Sequence, residues 1–308
     1  MQPQPIHLSS GNLIADRRFE WARDLAVKGD LAGAADLLTQ ALELAPDYAA
    51  AWFALGELRE KLDDRAGAVA AFRQAAQADP ADRHGAALHL IRLGAQPAAA
   101  MPAGYVRALF DGYAPAFDRA LTEGLGYRAP ELLLRAVEAA CAREPMQFGA
   151  ALDLGCGTGL AGAAFRPFCD RLVGVDLSPA MLAQARAKGL YDRVVEAEVL
   201  DFLGAEAAAK TRYQLILAAD VFMYFDELAP VLTAAALVLA PSAMIAFSVE
   251  THAGDGVILR DSLRYAHGAA YVRAALNSAG LKLISLDAAA TRTEKRAPVP
   301  GLIVVARA

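Results

Sequence analysis

Apolar and polar positions change their period along the chain, and the pattern predicts two architectures in succession. From residue 149 onward, short apolar runs alternate with segments of helical length. The predicted strands end at Asp153, Asp176, Val199, Asp220 and Val249. The predicted helices begin at Thr158, Ser178 and Asp226, preceded by a helix over 129–141 and followed by one over 269–278. Strands that alternate with helices form a parallel sheet covered on both faces.

The last two apolar runs differ from the earlier ones in their spacing. Residues 281–286 and 302–305 are separated by a short charged loop that has no room for a crossover helix. The spacing therefore predicts an antiparallel hairpin at the end of the chain.

The N-terminal third repeats itself at an offset of 34 residues, the period of a tetratricopeptide helix pair. Seven pairs of positions agree: Trp21 with Leu55, Ala22 with Gly56, Leu25 with Arg59, Ala34 with Ala68, Leu38 with Phe72, Ala41 with Ala75 and Pro46 with Pro80. Small residues allow two helices to cross closely, and the prolines end each second helix. The stretch Trp52-x-x-Leu-Gly56 resembles the tetratricopeptide consensus, although Arg59 stands where that consensus has Tyr.

These patterns predict two domains. An all-α tetratricopeptide repeat domain covers 1–95, with repeats at 15–48 and 49–82 and a capping helix at 83–94. A linker with two prolines covers 96–104, and an α/β domain covers 105–308. Two repeats leave three roles open: docking a protein partner, self-association, and packing on the second domain.

A glycine-rich loop follows the first strand of the α/β domain. Gly155, Gly157 and Gly159 allow positive φ and let the backbone approach a ligand without an intervening Cβ, which predicts a site for a nucleotide-like ligand. Asp176 ends the next strand about twenty residues later, where a carboxylate can accept hydrogen bonds from ribose hydroxyls.

Two ligands are compatible with this loop. Gly157, Gly159 and Gly162 complete a dinucleotide-binding spacing, so spacing alone does not exclude NAD. Asp153, directly before the turn, disfavours NAD because a carboxylate repels a pyrophosphate and attracts a cationic sulfonium or amino group.

The loop and its two flanking acids resemble those of class I S-adenosylmethionine-dependent methyltransferases. The resemblance implies a Rossmann-like seven-stranded sheet in the order 3-2-1-4-5-7-6 with strand 7 antiparallel. It implies S-adenosyl-L-methionine as cofactor and S-adenosyl-L-homocysteine as product. The implied cofactor-binding residues are Asp153, Gly155, Cys156, Gly157, Gly159, Asp176, Leu177, Met181, Leu200, Asp201, Phe202, Asp220 and Tyr113. Within this set, Asp201 is expected at the adenine amine and Asp220 at the methionyl side.

The same resemblance extends to an aromatic segment ahead of the loop. Many members of the family carry Phe-Asp-x-Tyr-Ala-x-x-Phe-Asp there as a lid, and this chain matches at Phe110, Asp111, Tyr113, Ala114, Phe117 and Asp118. Gly112 and Pro115 are expected to interrupt an otherwise amphipathic helix.

Composition narrows the class of protein. Among 308 residues, 56% are hydrophobic, yet no run approaches the 18 to 20 apolar residues of a membrane helix, and the first residues do not resemble a secretory signal. Three cysteines without metal-like or paired spacing predict no metal site and a reducing cytoplasm. With 30 basic against 35 acidic residues, nucleic acid is not an expected partner.

The acceptor side is less defined by the sequence. After the fourth strand the chain has Asp220-Val-Phe-Met-Tyr-Phe, so it lacks the Asn/Asp-Pro-Pro-Tyr/Phe motif of many amide and nucleobase N-methyltransferases. Residues 262–268 are expected to form a loop bordering the cleft. There His267 and Tyr265 are candidate catalytic groups, and Arg264 is a candidate ligand for an acidic acceptor; His252 is a further candidate base.

The leading hypothesis is a methyltransferase that acts on a small-molecule acceptor by O- or N-methylation. The alternatives are a protein methyltransferase that docks its substrate through the repeats and a non-catalytic tetratricopeptide adaptor.

Overall fold

The computed structural model describes residues 9–124, 126–141, 145–294 and 297–308. Contacts divide the chain between Gly112 and Tyr113 into two compact units. The division lies eight residues after the predicted start of the α/β domain at residue 105.

The N-terminal unit is helical. Its elements are α1 (Leu13–Val27), α2 (Leu31–Leu44), α3 (Ala49–Lys61), α4 (Arg65–Ala78), α5 (Ala86–Arg92) and α6 (Ala103–Tyr113). The first four form the two predicted helix pairs, and α5 is the single helix expected after them.

The 34-residue period extends to the helix caps. Asp30 and Asp64 are the N-caps of α2 and α4, and each accepts a hydrogen bond of 2.9 Å from the backbone amide of the glycine three residues later. Gly56 faces Phe72 so closely that a Cβ would lie 2.6 Å from the ring, which explains the small residue at this crossing.

The C-terminal unit is built on a nine-stranded sheet. Its strands are β1 (Phe148–Leu154), β2 (Cys169–Asp176), β3 (Arg193–Glu196), β4 (Tyr213–Ala218), β5 (Leu239–Glu250), β6 (Val257–Leu259), β7 (Tyr265–His267), β8 (Lys282–Ala289) and β11 (Gly301–Arg307); β9 (Thr293–Glu294) and β10 (Ala297–Pro298) form a separate ribbon. The main path is β3-β2-β1-β4-β5-β11-β8, which confirms the order 3-2-1-4-5-7-6. The strand β11 is antiparallel to both β5 and β8, so the predicted closing hairpin is also confirmed.

Helices cover both faces of this sheet. The helices of this unit are α7 (Phe117–Arg119), α8 (Ala129–Cys141), α9 (Leu160–Phe165), α10 (Pro179–Lys188), α11 (Val199–Ala208), α12 (Leu228–Val238) and α13 (Ala269–Ser278). One core cluster joins the sheet to α11, α12 and α13, and the other joins it to α8 and α9. In β1, Leu152 and Leu154 belong to the first cluster and Ala151 to the second, so the central strand is buried on both sides.

Three local expectations were wrong. The third strand ends at Glu196, and residues from Val199 onward form α11, so the predicted strand end at Val199 is the start of a helix. The expected loop at 262–268 contains β7, which pairs with β5 and β6. Gly112 does not interrupt α6, which continues to Tyr113. The helix ends just before Pro115, which lacks a backbone N–H, so only the proline acts as the expected break.

In the part of the chain that the structure describes, no helix combines the length and the apolar character needed to cross a membrane.

Candidate functional site

The loop after β1 has the conformation that its glycines predict, and each glycine is needed for a different reason. Gly155, Gly157 and Gly159 have φ values of +62°, +53° and +94°. A Cβ on Gly155 would lie 2.5 Å from Val221, and one on Gly159 would lie 3.1 Å from Tyr191. A Cβ on Gly157 would meet nothing nearer than Phe117 at 3.9 Å, so Gly157 is the glycine whose missing side chain leaves open space.

Asp153, the penultimate residue of β1, is buried beneath this loop. Its Oδ2 accepts a hydrogen bond of 2.7 Å from the hydroxyl of Tyr191. Its Oδ1 is also buried and makes no hydrogen bond of standard geometry with the residues that the structure describes. Burial, aided by the nearby Asp176 carboxylate, raises the pKa of Asp153 to about 7 even though the Tyr191 hydroxyl opposes the shift.

Asp176 connects the end of β2 to the loop. One carboxylate oxygen accepts from the Gly157 amide at 2.9 Å, and the other accepts from the Ser178 amide at 2.8 Å. Ser178 in turn caps α10 by accepting from the Met181 amide, with Pro179 at the first helical position, as the sequence predicts. Asp176 therefore orders both the loop and the following helix start.

The other residues expected around the cofactor vary in their accessibility. Cys156 is buried, and burial raises the pKa of its thiol well above the ordinary value, so it is a neutral thiol beside the loop. Met181 is fully buried, and Leu177 is half-buried.

The adenine-side residues lie on a helix and not at the end of a strand. Leu200 and Asp201 are exposed in the first turn of α11, whereas Phe202 is buried in the core, with the Arg193 guanidinium 5.5 Å above its ring. Leu200 and Asp201 are thus available to a ligand, and Phe202 has a packing partner of its own.

Asp220 follows β4 in a left-handed conformation with φ of +54°. Its carboxylate accepts hydrogen bonds from Ser248, Thr291 and Arg292, the last at 2.7 Å. Arg292 also pairs with Glu250 at the end of β5, and the side chains of both Arg292 and Glu250 are almost fully buried. Asp220 is thereby held by a buried ion-pair network, a stabilising feature that sequence spacing gave no means to predict.

Two further arginines extend this network towards the surface. Arg264 lies 3.6 Å from Glu250 and 3.2 Å from Glu294, and Arg260 lies 3.6 Å from Glu250. Together with Arg292 they form an arginine cluster, defined by Arg260, Arg264 and Arg292, whose charges are matched by Asp220, Glu250 and Glu294. The candidate anion ligand Arg264 is therefore already paired with carboxylates.

The aromatic segment before α8 contacts the glycine loop. Asp118 accepts a hydrogen bond from the Thr158 hydroxyl inside the loop, and its other oxygen pairs with Lys188 of α10 at 2.6 Å. Gln184 of α10 donates to the Ala114 carbonyl. The segment from Tyr113 to Asp118 is thus fastened at both the loop and α10.

His267 and Tyr265 do not lie on an exposed loop as expected, because both are buried in β7. His267 Nε2 donates a hydrogen bond of 2.9 Å to the Phe225 carbonyl, and its ring stacks on Tyr271. Burial lowers the pKa of His267 to about 4. His252 uses both ring nitrogens locally, with the Gly256 carbonyl and the Gly254 amide. The geometry of these histidines does not support a general-base role.

Sequence reasoning missed Tyr191 because its ring comes from the turn after α10, outside any motif. The available signal was glycine inside regular elements, at Gly162 on α9 and Gly174 on β2. The structure explains both, because a Cβ on Gly162 would lie 2.3 Å from the Tyr191 hydroxyl and one on Gly174 would lie 2.9 Å from the Tyr191 ring. Among the described residues no cluster of metal-ligating side chains occurs.

Comparisons with known proteins agree with this arrangement. Residues 152–245 match a family model described as a methyltransferase domain, and residues 27–90 match one described as a tetratricopeptide repeat. Methyltransferase-like protein 27 from Homo sapiens is 43% identical over 83 residues, which is 27% of this chain and 33% of that protein. The matched segment thus spans about a third of that relative's length.

Solved structures of methyltransferases are similar at low identity. An S-adenosylmethionine-dependent methyltransferase from Clostridium acetobutylicum is 16% identical with a TM-score of 0.48, and the match covers 64% of this chain and 98% of that chain. The magnesium protoporphyrin IX methyltransferase from Synechocystis, solved with bound SAM, is 15% identical with a TM-score of 0.43 over 58% of this chain and 78% of that chain. By its sheet topology and the family models that it matches, the chain carries a Rossmann-like methyltransferase domain preceded by tetratricopeptide repeats.

Proposed function

We propose that this protein is an S-adenosylmethionine-dependent methyltransferase that acts on a small-molecule acceptor. The observation that carries the proposal is the pair of acids around the glycine loop. Asp153 is buried with one unpartnered carboxylate oxygen, and Asp176 is fixed at the end of the neighbouring strand. A buried, unpartnered carboxylate oxygen is costly unless a cation or donor completes it.

The residues present fit such a cofactor. The open space at Gly157 supports close approach of a ligand to the backbone, and Asp153 Oδ1 suits a cationic amino group. Asp176, at the end of the neighbouring strand, is proposed to accept from ribose hydroxyls. The adenine end is proposed to contact Leu177, Met181, Leu200 and Asp201, with Phe202 packed beneath α11. The loop and the methionyl end of the cofactor are proposed to be supported by Gly155, Cys156, Gly159 and Asp220. A pyrophosphate would lie beside the Asp153 carboxylate, which disfavours NAD.

The chemistry needs little from the protein beyond positioning. When bound, the cofactor supplies an electrophilic methyl group on a sulfonium. The residues of this chain orient the two reactants and exclude water, and no protein nucleophile is required. The lid residues Tyr113 and Phe117, fastened to the loop through Asp118, are suited to that exclusion.

The lid and the acceptor side support a small acceptor. Tyr113 and Tyr224 lie near Arg264, and burial raises the pKa of both phenols, so they are neutral hydrogen-bonding groups and not bases at neutral pH. A covered site of this kind suits a compact acceptor whose oxygen or nitrogen is already nucleophilic, with no need of His267 or Tyr265 as a base.

A second candidate function is protein methylation, with the tetratricopeptide repeats docking the substrate. The match of residues 27–90 to a repeat model favours it, since such repeats usually bind partner segments. We propose domain limits of 1–95 and 105–308 with a linker at 96–104 for either function. We also propose action in a reducing cytoplasm, in keeping with three cysteines that form no disulfide with one another.

Calorimetry with S-adenosylmethionine, S-adenosylhomocysteine and NAD side by side tests the proposal. We expect the two adenosyl ligands to bind in the low micromolar range or tighter, and NAD not to bind. Tighter binding of NAD than of either adenosyl ligand would overturn the assignment.

A further inference from the structure

Tyr191 occupies a slot made for it by three glycines from three different elements. Gly159 precedes α9, Gly162 lies within α9 and Gly174 lies in β2, and a Cβ at any of the three would come within 3.1 Å of the Tyr191 side chain. A side chain at any of these positions would displace the ring, since such distances fall below ordinary contact. The ring position is therefore determined by backbone that belongs to the cofactor loop and its neighbouring strand.

The slot directs the Tyr191 hydroxyl to one oxygen of Asp153. The hydrogen bond to Oδ2 is 2.7 Å long, and the carboxylate is almost completely buried. Because a phenol whose pKa is raised well above its ordinary value stays protonated, Tyr191 is the donor in this bond. Oδ1 makes no hydrogen bond of standard geometry with a described residue, although the nearby Gly162 amide favours the charged carboxylate. The two oxygens of one carboxylate are thus distinguished: Oδ2 accepts from the Tyr191 hydroxyl, and Oδ1, also buried, still has capacity to accept a hydrogen bond.

We propose that Tyr191 is a positioning residue of the cofactor site, which holds Asp153 ionised and oriented so that Oδ1 can receive the cationic amino group of the cofactor. The inference rests on the proposed function. A donor bound to Oδ2 stabilises the charged form of a buried carboxylate. It also fixes the rotation of the carboxylate group, so that Oδ1 keeps one position.

The surroundings of Asp153 explain why it needs such a donor. The titratable groups that interact with it are the Asp176 carboxylate on β2, the Cys156 thiol in the loop, the Cys169 thiol at the start of β2, and the phenols of Tyr127 and Tyr191. The Gly162 backbone amide on α9 also favours the ionised form of Asp153, more weakly than the Tyr191 hydroxyl. None of these is a cation, and Asp176 opposes ionisation of Asp153. Burial has already raised the pKa of Asp153 to about 7, and loss of the Tyr191 hydroxyl, which lowers it, should raise the pKa further.

The test is the pH dependence of S-adenosylhomocysteine affinity for the full chain and for Tyr191→Phe, which keeps the ring in its slot. Because a smaller fraction of Asp153 would be ionised near pH 6, the variant should bind roughly tenfold more weakly at pH 6 and within about twofold of the wild type at pH 9. The amino group of the ligand titrates identically in both measurements, so the difference between the two profiles belongs to the protein.

Tyr213→Phe is a matched control. Tyr213 is another buried phenol that donates to a carboxylate, Glu206, at 2.8 Å, but on β4 and α11 away from the glycine loop. Its loss should leave the affinity profile unchanged. In an Asp153→Asn background, Tyr191→Phe should add little to the loss of affinity, because Tyr191 acts through Asp153.

The outcomes separate the inference from the proposed function. An equal loss of affinity at pH 6 and pH 9 would show that Tyr191 only packs the loop, and would overturn the inference while leaving the cofactor assignment intact. An unchanged profile would do the same. Failure of the wild type to bind S-adenosylhomocysteine at any pH would overturn the proposed function, and the inference with it.

Discussion

A single methyl group at Gly157 tests whether the open space at the loop is the ligand site. Gly157→Ala places a Cβ where the structure has no described atom closer than 3.9 Å, at a backbone φ of +53°. The matched control is Gly280→Ala, because Gly280 also has positive φ, +71°, has nothing within 4 Å and lies in the turn between α13 and β8. Both changes therefore impose left-handed strain, and only the first enters the proposed site.

The expected magnitudes follow from strain and overlap. An alanine in the left-handed region costs about 1 to 2 kcal/mol, so both variants should lose that much free energy of unfolding and melt a few degrees lower. Overlap of the added methyl group with a ligand costs about 1 to 3 kcal/mol, which corresponds to roughly 5- to 150-fold weaker binding for Gly157→Ala alone.

Differential scanning calorimetry and titration with S-adenosylhomocysteine measure the two quantities separately. We expect equal losses of thermal stability in the two variants and a loss of affinity in only one. If Gly157→Ala binds the ligand as tightly as Gly280→Ala does, the ligand does not approach the loop at this residue and the proposed site is misplaced.

Three further expectations concern the fold around the site. Arg292→Ala should lower the free energy of unfolding by about 3 to 5 kcal/mol in urea titrations, because it leaves Asp220 and Glu250 buried without their cation. The control Arg135→Ala, which removes an exposed pair with Glu131, should cost under about 1 kcal/mol, and equal losses in the two variants would contradict the burial argument. The pKa of His267 is lowered to about 4 from its ordinary value near 6.5, so between these pH values the unfolded chain binds a proton at this residue and the folded protein does not, and the free energy of unfolding falls as the pH falls through this window. Between pH 7 and pH 5 the wild type should therefore lose about 2 kcal/mol more free energy of unfolding than His267→Gln, and parallel pH profiles of the two proteins would contradict the lowered pKa. A chain that begins near Met101 should bind S-adenosylhomocysteine as the full chain does, and loss of binding in a soluble protein would show that the repeats belong to the catalytic fold.

Local chemistry made much of the fold predictable from sequence. The 34-residue period identified the two helix pairs, since each helix must bury small residues at the same place in every repeat. Helices over 129–141 and 269–278 coincide with α8 and α13, and the cap at Ser178 starts α10. Alternation of strands and helices predicted a parallel sheet, and the resemblance to a known family supplied the strand order.

The errors occur where tertiary contacts override local pattern. The largely apolar stretch from Val199 to Leu203 is compatible with either a strand or a helix, and packing of Phe202 and Leu203 against the core selected the helix α11. The polar residues around His267 suggested an exposed loop, but pairing of Ala266 with Glu250 and Ile258 buried them in β7. In both places a distant strand or core surface determined the outcome.

The sequence by itself determined the elements that depend on neighbours in the chain: the repeat period, the helix caps, the positive φ of the loop glycines and the acids at the ends of β1 and β2. Only the tertiary structure decided which side chains those acids meet. Tyr191 reaches Asp153 from 38 residues away, Arg292 reaches Asp220 from 72, and Asp118 reaches Thr158 from 40. Such contacts depend on how the turns and connections fold back over the carboxyl ends of the strands, and no local period records them, because hydrogen bonds between distant residues are fixed by packing and not by spacing along the chain.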